Sequence, residues 1–194
     1  MSSEGAFSTR RLVITAVLIA ITIVLSIPLN LGPLRSLGFI SFGAISFTIL
    51  VVPTVIGAIL EGWGVGLIVG AAFGLFSMFL ATQQPAGSPD AIFADPIISV
   101  LPRLFIGPVA WLVYRSLQRA GENLRLTAAS VAGTLTNTIL VIGAISLRLG
   151  VPFFTVLASV GINIVIELVV CAAIVVAVVN AVRGTASGSG KSSV

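Results

Sequence analysis

With 194 residues, 57% of them hydrophobic and only 8% charged, and a mean hydropathy of +1.20, the chain has too few charges to hydrate a globular surface. A soluble domain carries roughly a quarter charged residues, so most of this surface must face lipid, and the length suits one membrane bundle. The formal charge of +4 sits in arginines scattered at segment ends, which read as topology determinants rather than a nucleic-acid patch.

A hydrocarbon core of about 30 Å needs about 20 helical residues. The first apolar run predicts a span from Leu12 to Ile27, ending at Pro28. It is expected to be retained rather than cleaved as a signal peptide, because no clear cleavage site follows it. A loop with Asn30, Pro33 and Arg35 leads to a second span from Phe39 to Leu60, with Pro53 as a kink. A short turn, Glu61-Gly62-Trp63-Gly64, opens a third span from Val65 to Ala81. Residues 82–95 are polar and broken by prolines, and form the longest internal loop. The fourth span runs from Pro96 to Tyr114, the fifth from Thr127 to Leu147 and the sixth from Pro152 to Val182. The last is longer than a span needs, so it is tilted or extends past the bilayer.

This predicts an all-α fold: an integral membrane bundle of six transmembrane helices over residues 11–182. Residues 1–10 form a cytoplasmic segment and 183–194 a disordered Gly/Ser-rich tail. Arg10, Arg11, Arg115, Arg119, Arg125, Arg183 and Lys191 collect on one side; Arg35, Arg148, Asp90 and Asp95 collect on the other. The positive-inside rule puts both termini in the cytoplasm and the loop before the fourth span outside.

Catalytic chemistry finds little support. Histidine is absent, which removes the commonest general base and metal ligand, and Cys171 is a single cysteine in an apolar run. No cofactor is expected. The tail segment Gly188-Ser189-Gly190-Lys191-Ser192 ends like a phosphate-binding loop, but Thr185 occupies the required first glycine, and the strand before it and helix after it that the motif needs are not expected. Glycines 62, 66, 70 and 74 form a smooth ridge that lets another helix approach closely, and packing within the monomer explains it better than an oligomer interface. Ala16 and Ala20 form a small-xxx-small pair on the first span.

The polar residues at membrane depth carry more, because charge there is expensive and kept for pathways or ligand sites. Asp95, Ser99 and Arg103 share a face by four-residue spacing, with Arg103 roughly 12 Å beyond Asp95. Ser130, Thr134 and Asn137 form a stripe on the fifth span, and Asn163 and Glu167 share a face of the sixth. Arg103, Asn137 and Asn163 therefore lie at similar depth in the outer half. Two readings are open. In the structural one, Arg103 pairs with Glu167 or Asp95 and the asparagines bridge helices. In the functional one, the cluster is an outward-opening pocket in which Arg103 clamps a carboxylate or carbonyl and the asparagines serve amide or hydroxyl groups. An arginine at that depth favours the second.

The segment FADPIISVLPRLFIGPVAWLVYR (93–115) resembles the fourth helix of the substrate-binding S components of energy-coupling factor (ECF) vitamin transporters. GTLTNTILVIGAI (133–145) is similar to their fifth helix, and SFTILVVPTVIGAILEGWGVGLIVGAAFGL (46–75) to their second and third. Ala16-xxx-Ala20 matches the alanine motif of their first helix, and the resemblance covers most of residues 11–180. It implies a vitamin site near the outer face capped by loops, to which Arg35, Gln83 and Gln84 contribute. It also implies docking through the first helix onto a transmembrane coupling subunit that carries two ATPases.

The DP…LPR and GTLTNT combination looks most like the pantothenate branch, with folate as the nearest competitor. The resemblance thus implies a non-enzymatic, multi-pass subunit of the prokaryotic plasma membrane, in contact with lipid and binding no nucleic acid. Its site residues would be Asp95, Ser99, Arg103, Asn137, Asn163 and Glu167, and its partner contacts Ala16 and Ala20. A six-span scaffold of the cell envelope is the rival reading, and a membrane enzyme is the weakest.

Overall fold

The computed structural model describes residues 9–31, 34–36, 39–42, 45–85 and 89–188. The residues on either side, with most of the N-terminal segment and Gly190 and Lys191 of the tail, lie outside the described residues. Helix α1 (Thr9–Ser26) opens the chain. Its outer face is apolar, whereas Thr15, Thr22 and Ser26 face inward and are buried. Each of these hydroxyls donates to the carbonyl one turn back, at 2.7–2.8 Å, so burying them leaves no unmet donor.

Four short strands follow, β1 (Pro28–Leu31), β2 (Leu34–Ser36), β3 (Phe39–Phe42) and β4 (Ile45–Thr48), in one antiparallel meander. Phe39 pairs with Thr48 and Phe42 with Ile45. The second span expected over Phe39–Leu60 is thus corrected: its first half is strand, and the helix α2 runs only from Val51 to Glu61. Phe39, Ile40, Phe42, Ile45, Phe47 and Thr48 are aromatic or β-branched. Such residues suit a pleated surface, and an apolar run alone does not distinguish strand from helix. Pro53 falls in the first turn of α2, where its missing N–H is not needed, so no kink forms.

Helix α3 (Trp63–Thr82) turns back on α2 at Gly62, whose φ of 96° favours glycine. The glycine ridge is an internal contact. A Cβ on Gly66 would stand 2.8 Å from the Cα of Gly107, and one on Gly74 would stand 2.8 Å from the Cα of Val100. Backbone thus meets backbone where α3 crosses α4 and α5. After a 3-10 helix (Pro89–Ala94), Asp95 caps the short α4 (Pro96–Ser99) by accepting from the N–H of Ile97 at 2.8 Å. Then come α5 (Leu101–Ser116), α6 (Glu122–Leu149) and α7 (Phe153–Gly188). Helix α7 continues beyond Val182 into residues whose composition reads as tail.

Among the described residues five helices are long and apolar enough to cross a membrane: α1, α3, α4 with α5, α6 and α7. Helix α2 is too short, at roughly 16 Å, yet Val51–Ile59 are all buried and form the centre of the core. Val69, Ile106, Leu126 and Val175 close around it.

The ion pairs fix which termini share an end. Arg10 meets Glu61 at 3.5 Å, and Tyr114, Glu122 and Arg183 form one hydrogen-bonded group. At the other end Arg148 pairs with Asp95 at 3.0 Å. Gly62 lies beside Trp111, which joins the first two contacts to the same end. The described N- and C-terminal regions therefore lie together. Helix α1 leads away from that end, and the strands with α2 return to it. The Thr48 carbonyl accepts from Cys171 at 3.5 Å, and Cys171 is roughly 18 Å along α7 from Arg183. Helix α2 thus begins near mid-depth.

Candidate ligand-binding site

Arg103 is the residue on which the site turns. It stands in the first turn of α5, 6% exposed, because the ridge at Gly70 lets α3 press against its backbone carbonyl. Its guanidinium folds back toward the Asp95 end, and Nη1 donates to the Ile98 carbonyl at 2.6 Å. The rings of Phe73 on α3 and Phe93 on the 3-10 helix each stand 5.3 Å from it. Two aromatic faces hold a cation without neutralising it. Nε has no hydrogen-bonding partner among the described residues.

Glu167 on α7 is the acidic group that interacts electrostatically with Arg103. They close no salt bridge, and the buried Oε1 of Glu167 has no hydrogen-bonding partner among the described residues. Cys171, one turn along α7, lies against Thr134 of α6. The two helices run in opposite directions. One turn from that contact toward the Asp95 end therefore brings Asn137 on α6 level with Glu167 on α7, and Asn163 follows one turn further. Asn137 is 7% exposed with an unpartnered Oδ1; Asn163 is also buried. The Oγ of Ser130 and Oγ1 of Thr54, on α6 and α2, are likewise buried without a partner among the described residues.

A buried polar atom without a partner costs about 1–3 kcal/mol. Such atoms occur on α2, α6 and α7 as well as on Arg103 of α5. Together they offer a cationic fork, amide donors and acceptors, a carboxyl group and hydroxyls. That inventory suits a small anion that also bears amide or hydroxyl groups.

Two other sequence candidates occupy different roles. Asp95 caps α4 and pairs with Arg148 rather than Arg103. Ser99 is fully buried and donates to the Gly74 carbonyl at 3.1 Å, tying α4 to α3. Both lie on the short helix α4 or its cap, next to Arg103 in the chain. Arg35 falls on β2, and Gln83 and Gln84 are exposed just after α3. Phe93 and Phe73 were not foreseen. Phe93 had a signal, an Ile-Phe pair between two aspartates in an otherwise polar loop; Phe73 is one apolar residue among many. Ala16 and Ala20 are exposed on the outer face of α1.

Residues 10–179 match the family described as "ECF transporter, substrate-specific component". The chain is also similar to the Pantothenic acid transporter PanT of Lactococcus lactis subsp. cremoris (strain MG1363), at 34% identity over 53% of this chain and 58% of the relative. The chain thus spans less than two thirds of that relative's length.

Proposed function

This chain belongs to the family of ECF transporter substrate-specific components, and we propose that it is the membrane subunit that binds pantothenate for import. Family membership makes it a transport component rather than an enzyme, and five long apolar helices agree with a multi-pass protein of the plasma membrane. The observation that carries the ligand assignment is the buried Arg103, its guanidinium 5.3 Å from each of two aromatic rings and its Nε unpartnered among the described residues.

Pantothenate has a carboxylate, a secondary amide and two hydroxyls. In the proposed complex Arg103 takes the carboxylate and Asn137 and Asn163 serve the amide. Glu167 accepts from a hydroxyl, while Asp95 and Ser99 complete the wall. The likeness to a pantothenate transporter supports this choice over other anionic vitamins.

The proposed topology has six crossings with both termini cytoplasmic. The second crossing is made by the strand segment and α2 together. The arginines gathered at the end that holds both described terminal regions support it. Strand backbone at membrane depth is tolerable only where protein or a water-filled cavity meets its polar groups, which agrees with a segment that covers a ligand pocket. The proposed partners are a transmembrane coupling subunit, docked on Ala16 and Ala20 of α1, and the two ATPases it carries.

Mass spectrometry of the ligand that co-purifies with the protein, followed by titration with a vitamin panel, tests the assignment. Pantothenate is expected to bind one to one, without ATP, in the nanomolar to micromolar range. Binding of folate alone would move the site to another vitamin, and binding of none would remove the pocket.

A further inference from the structure

At the opposite end from Arg103, the turn between α5 and α6 borders an open, shallow concavity lined by Leu112, Arg115, Ser116, Leu117, Gln118 and Arg119. Its volume of about 820 Å³ is far more than a single ion needs and is in the range of organic-ligand sites. Three other arginines of this end meet a carboxylate: Arg10 meets Glu61, and Arg125 and Arg183 share Glu122. Arg115 and Arg119 have no carboxylate partner among the described residues. Arg115 is also held in place, with its guanidinium 5.1 Å from the ring of Trp111.

The depth of this concavity follows from the aromatics. The chain's two tryptophans and its single tyrosine, Trp63, Trp111 and Tyr114, all belong to this end. Such residues collect where hydrocarbon gives way to headgroups. Leu112, 61% exposed, lies about one turn deeper along α5 than Arg115 and Ser116. The concavity is therefore a cationic, hydrogen-bonding cup at headgroup level above an apolar wall. A soluble phosphate would use the cup alone; a lipid would use both.

We propose that this concavity binds the headgroup of an anionic phospholipid, with the phosphate on Arg115 and Arg119 and an acyl chain along Leu112. Ser116 and Gln118 supply hydrogen bonds to the headgroup. A lipid held there fixes the level of this end in its leaflet, at a site independent of the vitamin pocket.

The test is native mass spectrometry of the protein released from mixed phosphatidylglycerol and phosphatidylcholine bilayers of identical acyl chains. The wild-type protein should retain phosphatidylglycerol preferentially, and R115Q/R119Q should lower that preference by roughly thirtyfold, from the worth of two basic side chains at an anionic surface. R10Q/R11Q removes the same charge from the same end and should keep the preference. An equal loss in both double variants, or none in R115Q/R119Q, overturns the site. Displacement of the lipid by glycerol 3-phosphate at equal concentration would also overturn it, in favour of a soluble anion. Pantothenate affinity, measured alongside, should be unchanged in every variant.

Discussion

Phe93 lies on the guanidinium of Arg103, at 5.3 Å from ring centroid to Cζ, although the two belong to different elements. Phe93 is on the 3-10 helix of the loop before α4, so the loop contributes one face of the arginine's enclosure and α3 contributes the other through Phe73. A cation–π contact with a desolvated cation is worth about 1–2 kcal/mol. Phe93→Ala should therefore weaken pantothenate binding roughly fivefold to thirtyfold, mostly by faster release. Phe93→Trp should keep the affinity and Phe93→Leu should not. A chase with unlabelled vitamin measures the release rate; equal rates in Phe93→Ala and the wild-type protein would remove Phe93 from the site.

Arg103 itself carries a stronger expectation. Removing one partner of a buried, hydrogen-bonded charge pair typically costs 2–5 kcal/mol, so Arg103→Ala should weaken pantothenate by about thirtyfold or more. Arg103→Lys should fail nearly as badly. A lysine keeps the charge but cannot present a planar fork to a carboxylate or spread over two rings. Titration calorimetry on both variants is the check, and wild-type affinity in Arg103→Lys would show that charge alone suffices.

The long spans were legible because hydropathy over 20 residues is a strong signal. The start of α6 at Glu122 and the end of α3 at Thr82 fall close to the polar boundaries of the sequence. The segment 39–48 was not legible, because alternating Phe, Ile, Ser and Thr satisfies a membrane helix and a strand equally well by composition. At the site, the depth of Arg103 and the shared face of Asn163 and Glu167 follow from helical spacing, which is local. The Asp95–Arg148 pair joins residues far apart in sequence, which spacing along one helix cannot reveal. Asp95 also shares a helical face with Arg103 only in a continuous helix. It is instead the cap, with extended backbone, and stands outside the helix.

Gly66 and Gly107 give a prediction about the fold alone. Each would carry its Cβ into the other's backbone, and backbone cannot give way as a flexible side chain can. Gly66→Ala and Gly107→Ala should each destabilise by about 1–3 kcal/mol, as overpacking of a filled interior does. Gly143→Ala, where an added Cβ meets open space, should leave thermal unfolding in detergent unchanged. If Gly107→Ala melts with the wild-type protein, the close crossing of α3 and α5 is wrong.

Asp95 holds two interactions that substitutions can separate. Its pair with Arg148 is half exposed and worth about 0.2–1 kcal/mol; its cap on Ile97 is worth about 1 kcal/mol. Asp95→Asn keeps the cap and loses the pair, so its melting temperature should match that of Arg148→Gln. Asp95→Ala loses both and should melt lower than either. High salt should narrow the gap between wild-type and Arg148→Gln but not the gap between Asp95→Asn and Asp95→Ala. A gap of the second kind that vanishes in salt would mean that the cap does not contribute.

Ala16 and Ala20 test the proposed docking separately from binding. Helix α1 turns Thr15, Leu18 and Thr22 into the bundle and leaves Ala16 and Ala20 exposed on the outer face. A leucine at either position would point away from the chain's own core, so the proposed pocket around Arg103 should be untouched. The same leucine would fill the shallow groove that small residues leave for another helix. Ala16→Leu and Ala20→Leu should therefore bind pantothenate with wild-type affinity yet fail to support its uptake in cells or proteoliposomes with the coupling module. Uptake at the wild-type rate would put the partner on another face. Loss of binding and uptake together would mean that α1 shapes the pocket, and the outward stripe would lose its assignment.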